Sequence, residues 1–225
     1  MIDLLKERVK HVDAMKATIV EFYRTYVDET AKIDGHSWYR SAHMVAVLLS
    51  EKYGYSVAQC AGCISALSPS VLWETNILDA ETVIRAHSKG IDLDKVTVST
   101  YGQNKDKCFR ILEGKPEPLS VSANFTTDTK TKSFYWNILK PSDHSAVTVD
   151  RHAVGVALAS NGSDHLALSI TKKRYRDISE AYRLASTVLH YAAPCDLQAT
   201  CWVAYRDNFG GRPTVDADDL SEAPF

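Results

Sequence analysis

The sequence predicts an all-α protein, and three observations carry that expectation. Apolar residues recur at three- and four-residue steps, as in Leu5, Val9, Val12, Met15, Ile19, Phe22 and Tyr26, which is the period of a helix with one buried face. No set of segments alternates apolar and polar residues as half-buried strands do; only 96–100, Val-Thr-Val-Ser-Thr, reads as a short extended piece. Glycine, proline and capping residues fall where the helical runs end.

The elements follow in order. The first helix is long and amphipathic, from about Leu5 to Tyr26, with Lys, Arg, Glu and Asp between its apolar positions. Asp34 and Gly35 are expected to break the chain, and a second helix runs through Trp38, Ala42, Val45, Leu48 and Leu49 to Tyr53 and Gly54. Ser56 is placed to cap a third helix over 57–67, because its hydroxyl can accept from an unpaired backbone N–H. Pro69 opens the next, which carries Leu72, Ile77, Val83 and Ile84 and ends at Gly90. A short helix over 104–112 closes at Gly114, and another over 131–139 stops before Pro141. The β-branched run Val147-Thr148-Val149 leads into a helix over 151–159, and helices over 178–191 and 197–205 complete the set. That makes nine or ten helices in one domain, 1–209. The Asp-rich, Pro-containing segment 210–225 reads as a flexible acidic tail.

With 225 residues, the chain can bury about 70% of its unfolded surface and needs no disulfide or metal to hold a core. The net charge of −2 argues against a polybasic nucleic-acid coat. It is unevenly spread: residues 1–102 carry a net −2, residues 103–183 a net +4 and residues 184–225 a net −4. A mildly basic middle leaves room for a local, salt-sensitive nucleic-acid surface. No signal peptide and no run approaching about 20 apolar residues is present, so the expectation is a cytoplasmic protein without a membrane span. The five cysteines, Cys60, Cys63, Cys108, Cys195 and Cys201, read as reduced thiols. Cys60 and Cys63 have CxxC spacing but lie within a helical run with no second ligand pair, so helix packing is the better reading. His36, His43, His152 and His165 show no metal-binding spacing.

The segment richest in chemistry runs from Val147 to Leu158, where an apolar run delivers Asp150 to a helix start. Asp there is an ordinary N-cap. It is also a carboxylate able to orient a nucleophile or stabilise a developing cation. His152 stands beside it as either an electrostatic partner or a packing residue. The basic run Lys172-Lys173-Arg174-Tyr175-Arg176 could meet a nucleic-acid backbone or be a solvated helix start.

Val149-Asp150-Arg151-His152-Ala153-Val154 resembles the Val-Asp-Thr-His-Val element of the helix-hairpin-helix DNA glycosylase superfamily, the endonuclease III-like enzymes. Ile64-Ser65-Ala66-Leu67-Ser68-Pro69 is similar to the family's early Leu-Ser-Ala/Pro-Gln segment, and Asn104 to Leu112 to its Lys-Ala-x-x-Ile helix. Lys132 precedes Asp150 by eighteen positions, similar to the Lys-to-Asp spacing of the bifunctional members. The four elements occur in the family's order. The Trp73 and Asn76 pair, and the segment from Pro194 to Trp202, look more like a phage-encoded offshoot.

The resemblance implies a helical bundle of two lobes with a central cleft, lobe A being about 1–66 plus 160–209 and lobe B about 67–159. It implies Asp150 as the catalytic carboxylate, with Lys132 as a Schiff-base nucleophile and Lys130 as its neighbour or alternative. DNA contacts are expected from Ser68, Ser70, Asn104, Lys105, Lys107, Lys130, Arg151, Lys172, Lys173 and Arg174. Trp73, Asn76, Tyr135 and Trp136 would hold an extruded base. DNA is the implied partner. No cofactor is implied, because only Cys195 and Cys201 lie where some members carry a four-Cys iron–sulfur loop. The chain departs from the family in its hairpin: no glycine occurs between Gly114 and Gly155, although close backbone approach to a phosphate favours glycine. Three functions therefore compete: a DNA glycosylase, a transferase building hypermodified thymine on DNA, and a non-catalytic DNA- or protein-binding module.

Overall fold

The computed structural model describes residues 2–69, 71–115, 129–143, 145–159 and 170–209, with side chains from residue 6 onward. Ser70, His165, the expected tail 210–225 and residues 116–128 of the glycine-free stretch lie outside the described residues. Among the described residues the structure is helical, with no strand: α1 (Ile2–Tyr26), α2 (Glu29–Tyr53), α3 (Val57–Leu67), α4 (Trp73–Ser88), α5 (Gly102–Leu112), α6 (Lys130–Leu139), α7 (Arg151–Ala157), α8 (Lys172–Val188) and α9 (Pro194–Phe209). A 3-10 turn, Leu93–Lys95, precedes residues 96–100, which pair with no strand among the described residues.

Two expectations are corrected. Asp34 and Gly35 do not break the chain; α2 runs through both. The break falls at Val27 and Asp28, where the Asp28 carboxylate accepts from the Ala31 N–H at 2.8 Å and takes the capping role. Gly35 answers a packing need, since a Cβ there would meet the Thr200 Cα at 2.3 Å. Pro69 does not open α4, which starts at Trp73 after Leu72 in extended backbone. The Pro69 carbonyl instead accepts from the Thr100 hydroxyl at 2.6 Å.

Ser56 does cap α3. Its hydroxyl accepts from the Gln59 N–H, and Gln59 Oε1 accepts from the Ser56 N–H at 3.0 Å, a reciprocal capping box. Gly90 and Gly114 both take positive φ, 65° and 74°, just past the ends of α4 and α5, where a side chain would be strained.

The described chain falls into two compact units. Among the described residues the first comprises 2–39, 129–133, 141–143, 145–159 and 170–209. In it α1, α7, α8 and α9 share one core: Val12, Met15, Ile19 and Phe22 meet Ile178, Tyr182, Val154, Leu197 and Tyr205. Each fully buried aliphatic side chain of this kind contributes about 1.5–3 kcal/mol.

Among the described residues the second unit comprises 40–69, 71–115 and 134–140, and in it α3, α4 and α5 pack together. Small residues let α3 come close to α5: Cys63 Sγ donates to the Cys108 carbonyl at 3.9 Å and Cys108 Sγ to the Cys63 carbonyl at 3.6 Å. Gln59 Nε2 also satisfies the Leu112 carbonyl at the end of α5, at 2.9 Å.

In the first unit, α1 is tied to α8 by one buried carboxylate. Asp177, 2% exposed, accepts from Arg8 Nε at 2.6 Å and from Lys173 Nζ at 3.1 Å. Burial pushes its carboxyl up, but those two hydrogen bonds outweigh burial and hold it below the ordinary value. A carboxylate depressed on folding stabilises the fold above its unfolded pKa, about 3.9. That contribution is lost as pH falls through the lower folded value. The stability gap between the wild type and Asp177→Asn should therefore hold steady near neutrality and shrink below about pH 4. Urea unfolding across that range checks it; a gap that widens in acid contradicts the assignment.

Candidate functional site

The site is built around Asp150 in the first unit. Residues 146–149 are fully buried and carry no regular structure. Tyr175 of α8 pins them, its hydroxyl donating to the Val147 carbonyl at 2.9 Å and accepting from the Val149 N–H at 3.1 Å. The segment thus delivers Asp150 at a fixed height to the start of α7. There Asp150 Oδ1 accepts from the Ala153 N–H at 2.7 Å, the N-cap contact expected from the sequence.

The second carboxylate oxygen, Oδ2, lies 3.3 Å from His152 Nδ1. Asp150 is 1% exposed, whereas the His152 side chain is 24% exposed. The pair therefore has a buried carboxyl end and a partly exposed imidazole end. His152 is held from the side as well: the Tyr205 ring lies at 5.6 Å and the Trp202 ring at 6.2 Å, both edge-on. Gly155 makes room for this, since a Cβ at that position would come within 3.0 Å of the Tyr205 hydroxyl.

Three tyrosines feel the carboxylate. Burial first, and the Asp150 charge with it, pushes the phenols of Tyr175, Tyr182 and Tyr205 up from their ordinary value. All three therefore stay protonated donors at neutral pH. Tyr182 differs from the other two in that its hydroxyl is buried without a hydrogen-bond partner among the described residues, a costly arrangement. A buried carboxylate orienting a half-exposed imidazole is a general acid–base arrangement.

None of the five cysteines is in a disulfide, and all five are buried. Burial, and then Cys63, raises the Cys60 thiol to about 12, far from the thiolate that nucleophilic chemistry needs. Among the described residues no group of three or more His, Cys, Asp or Glu is placed to hold a metal ion, and no helix is long and apolar enough to cross a membrane.

The remaining sequence candidates distribute as follows. In the first unit, Lys130 and Lys132 stand at the start of α6; the Lys130 ammonium is buried and the Lys132 side chain half-buried. Arg151 is the first residue of α7. Lys172, Lys173 and Arg174 form the first turn of α8, where Thr171 caps the Arg174 N–H and Lys173 is engaged by Asp177.

In the second unit, the Ser68 hydroxyl donates to the Ser65 carbonyl at 2.9 Å. Asn104 is 2% exposed, with Nδ2 donating to Thr100 and Oδ1 accepting from Lys107 at 3.0 Å. Lys105 donates to the Val96 carbonyl at 2.7 Å. Both lysines thus spend one donor inside the unit and keep others, since an ammonium carries three. Trp73 and Asn76 are buried on α4, with Asn76 Oδ1 lacking a hydrogen-bond partner among the described residues. Tyr135 and Trp136 are half-buried on α6, and the Lys140 ammonium lies 4.4 Å above the Trp136 ring.

Sequence reasoning left the role of His152 open and missed Tyr182 and Tyr205 as neighbours of Asp150. The two tyrosines fall on helical core positions, and no local signal separates a core tyrosine from one facing a carboxylate.

A family profile described as "Family of unknown function (DUF7178)" matches residues 1–209. No curated protein and no solved structure matches the chain.

Proposed function

The chain belongs to this family, and we propose that it is a DNA base-processing enzyme of glycosylase type, with a two-lobed helix-hairpin-helix glycosylase-like fold, acting on DNA in the cytoplasm. The observation that carries the reading is the Asp150–His152 pair, a carboxylate 1% exposed whose Oδ2 meets an imidazole 24% exposed. Charge held out of water acts strongly at short range. In this reaction the bond between the base and sugar C1′ breaks, positive charge develops on the sugar, and water or an amine forms the new bond to C1′. Asp150 stabilises that charge, His152 carries the proton, and Lys132 is the candidate amine. The order of the four glycosylase-like motifs and the net +4 of residues 103–183 support DNA as the substrate.

A second reading keeps the same pair but transfers a group onto an activated base. The absence of glycine between Gly114 and Gly155 favours it, because a repurposed site has less need of a hairpin that grips duplex phosphate.

Binding and product formation together test the proposal. Affinity for DNA should fall steeply as salt rises, the logarithm of the constant declining linearly with the logarithm of salt. Free base plus abasic DNA identifies the glycosylase, and a heavier nucleoside identifies the transferase. No salt-dependent binding and no product from a panel of modified DNAs would sink both.

A further inference from the structure

The two faces of α8 carry different chemistry. One places Tyr175, Ile178 and Tyr182 in the core of the first unit. The other, with Arg176, Ser179, Arg183 and Leu184, joins Arg8 and Val9 of α1 to line a groove of about 540 Å³. That volume lies within the range of small-molecule sites, about 300–1,000 Å³.

Two features of the groove point to a ligand. Ser179 is 3% exposed, and its hydroxyl has no hydrogen-bond partner among the described residues. A buried hydroxyl left unpaired is costly, so one in the wall of a groove calls for a partner from outside.

The second feature is the charge balance. The carboxylates of the groove and of its ion pairs are already engaged: Asp13 by Lys16 at 2.7 Å, Asp177 by Arg8 Nε and Lys173, and Glu180 by Arg183 at 3.2 Å. Arg176 has no ion pair among the described residues; its Nε donates to the Lys172 carbonyl at 3.3 Å. Arg8 meets Asp177 through Nε alone, which leaves its two terminal nitrogens. Cationic donors are thus in surplus beside exposed apolar surface, Val9 being 60% and Leu184 37% exposed.

We propose that the groove between α1 and α8 binds a small organic anion. Its carboxylate or phosphate-monoester head sits on Arg176 and Arg8 within reach of the Ser179 hydroxyl, and its compact apolar body lies on Val9 and Leu184. A guanidinium fork suits either head. The apolar contact excludes water from the charged one and selects against a bare inorganic anion. The Asp150–His152 pair takes no part in this site, and its test involves no reaction on DNA.

Titration calorimetry on the full chain tests it with four probes: phenyl phosphate, phenylacetate, inorganic phosphate and benzyl alcohol. At least one of the two aromatic anions should saturate the protein. Inorganic phosphate and benzyl alcohol, each lacking half of the ligand, should bind about tenfold more weakly or worse. Arg176→Gln, a change at an exposed position, should weaken the aromatic anion by about tenfold, the loss of a charge-assisted hydrogen bond. Ser179→Ala should weaken it by roughly threefold to tenfold. Circular dichroism confirms that both variants fold. The proposal is overturned if neither aromatic anion saturates by ~10 mM, if Arg176→Gln binds as well as the wild type, or if benzyl alcohol matches the anions.

Discussion

Asp150→Asn should lower activity on a DNA substrate by about 10²–10³-fold while leaving the fold intact. The two consequences separate because Asp150 does two jobs with two oxygens. Oδ1 caps α7 through the Ala153 N–H at 2.7 Å, and an asparagine carbonyl can make that contact equally well. Oδ2 faces His152 at 3.3 Å, and there an amide supplies neither the charge nor the pairing. Stability should therefore change by no more than about 1 kcal/mol. Asp150→Ala is the contrast, since it loses the cap as well and should cost about 1 kcal/mol more. If Asp150→Asn keeps full activity, the carboxylate is only a helix cap and the enzyme reading falls with it.

Gly35→Ala should destabilise the first unit by about 2–3 kcal/mol, the largest effect expected from adding one methyl group. In an isolated helix the same change stabilises by up to about 1 kcal/mol, because alanine outranks glycine. Here a Cβ would meet the Thr200 backbone, with Cα at 2.3 Å and N at 2.5 Å, and the Thr200 hydroxyl at 2.5 Å. The backbone of α9 cannot yield as a flexible side chain can, so the clash outweighs propensity. A lower urea midpoint with an unchanged slope is the expected result. An alanine variant more stable than the wild type would show that α2 and α9 do not approach this closely.

These two residues also mark where the sequence was legible. Ser56 and Asp150 could be read as caps because a cap depends on neighbours three residues away. The amphipathic period of α1 was equally local, and its end at Tyr26 agrees. Gly35 looked like a breaker because its reason for being glycine is Thr200, far along the chain, and no local pattern announces that contact. The start of α4 was misplaced for a similar reason: Pro69 is held by Thr100 across the second unit instead of opening a helix.

At the candidate site, Asp150 was legible from an apolar run meeting a helix start. Tyr182 and Tyr205 were not, because a tyrosine beside a carboxylate and a tyrosine in a core obey the same periodicity. Lys105 and Lys107 are expected from the resemblance as DNA contacts, and each also donates to an acceptor within its own unit. Residue type alone does not tell those two uses of an ammonium apart.

The central claim is that Asp150 and His152 form a working acid–base pair acting on DNA. Its most direct test is nucleoside mass spectrometry of one DNA preparation after incubation with the wild type and, side by side, with Asp150→Asn. The account predicts a changed base with the wild type, either released or made heavier, and unchanged DNA with a variant that is folded and still binds. The same product from both proteins, or none from the wild type on any modified DNA, would contradict it.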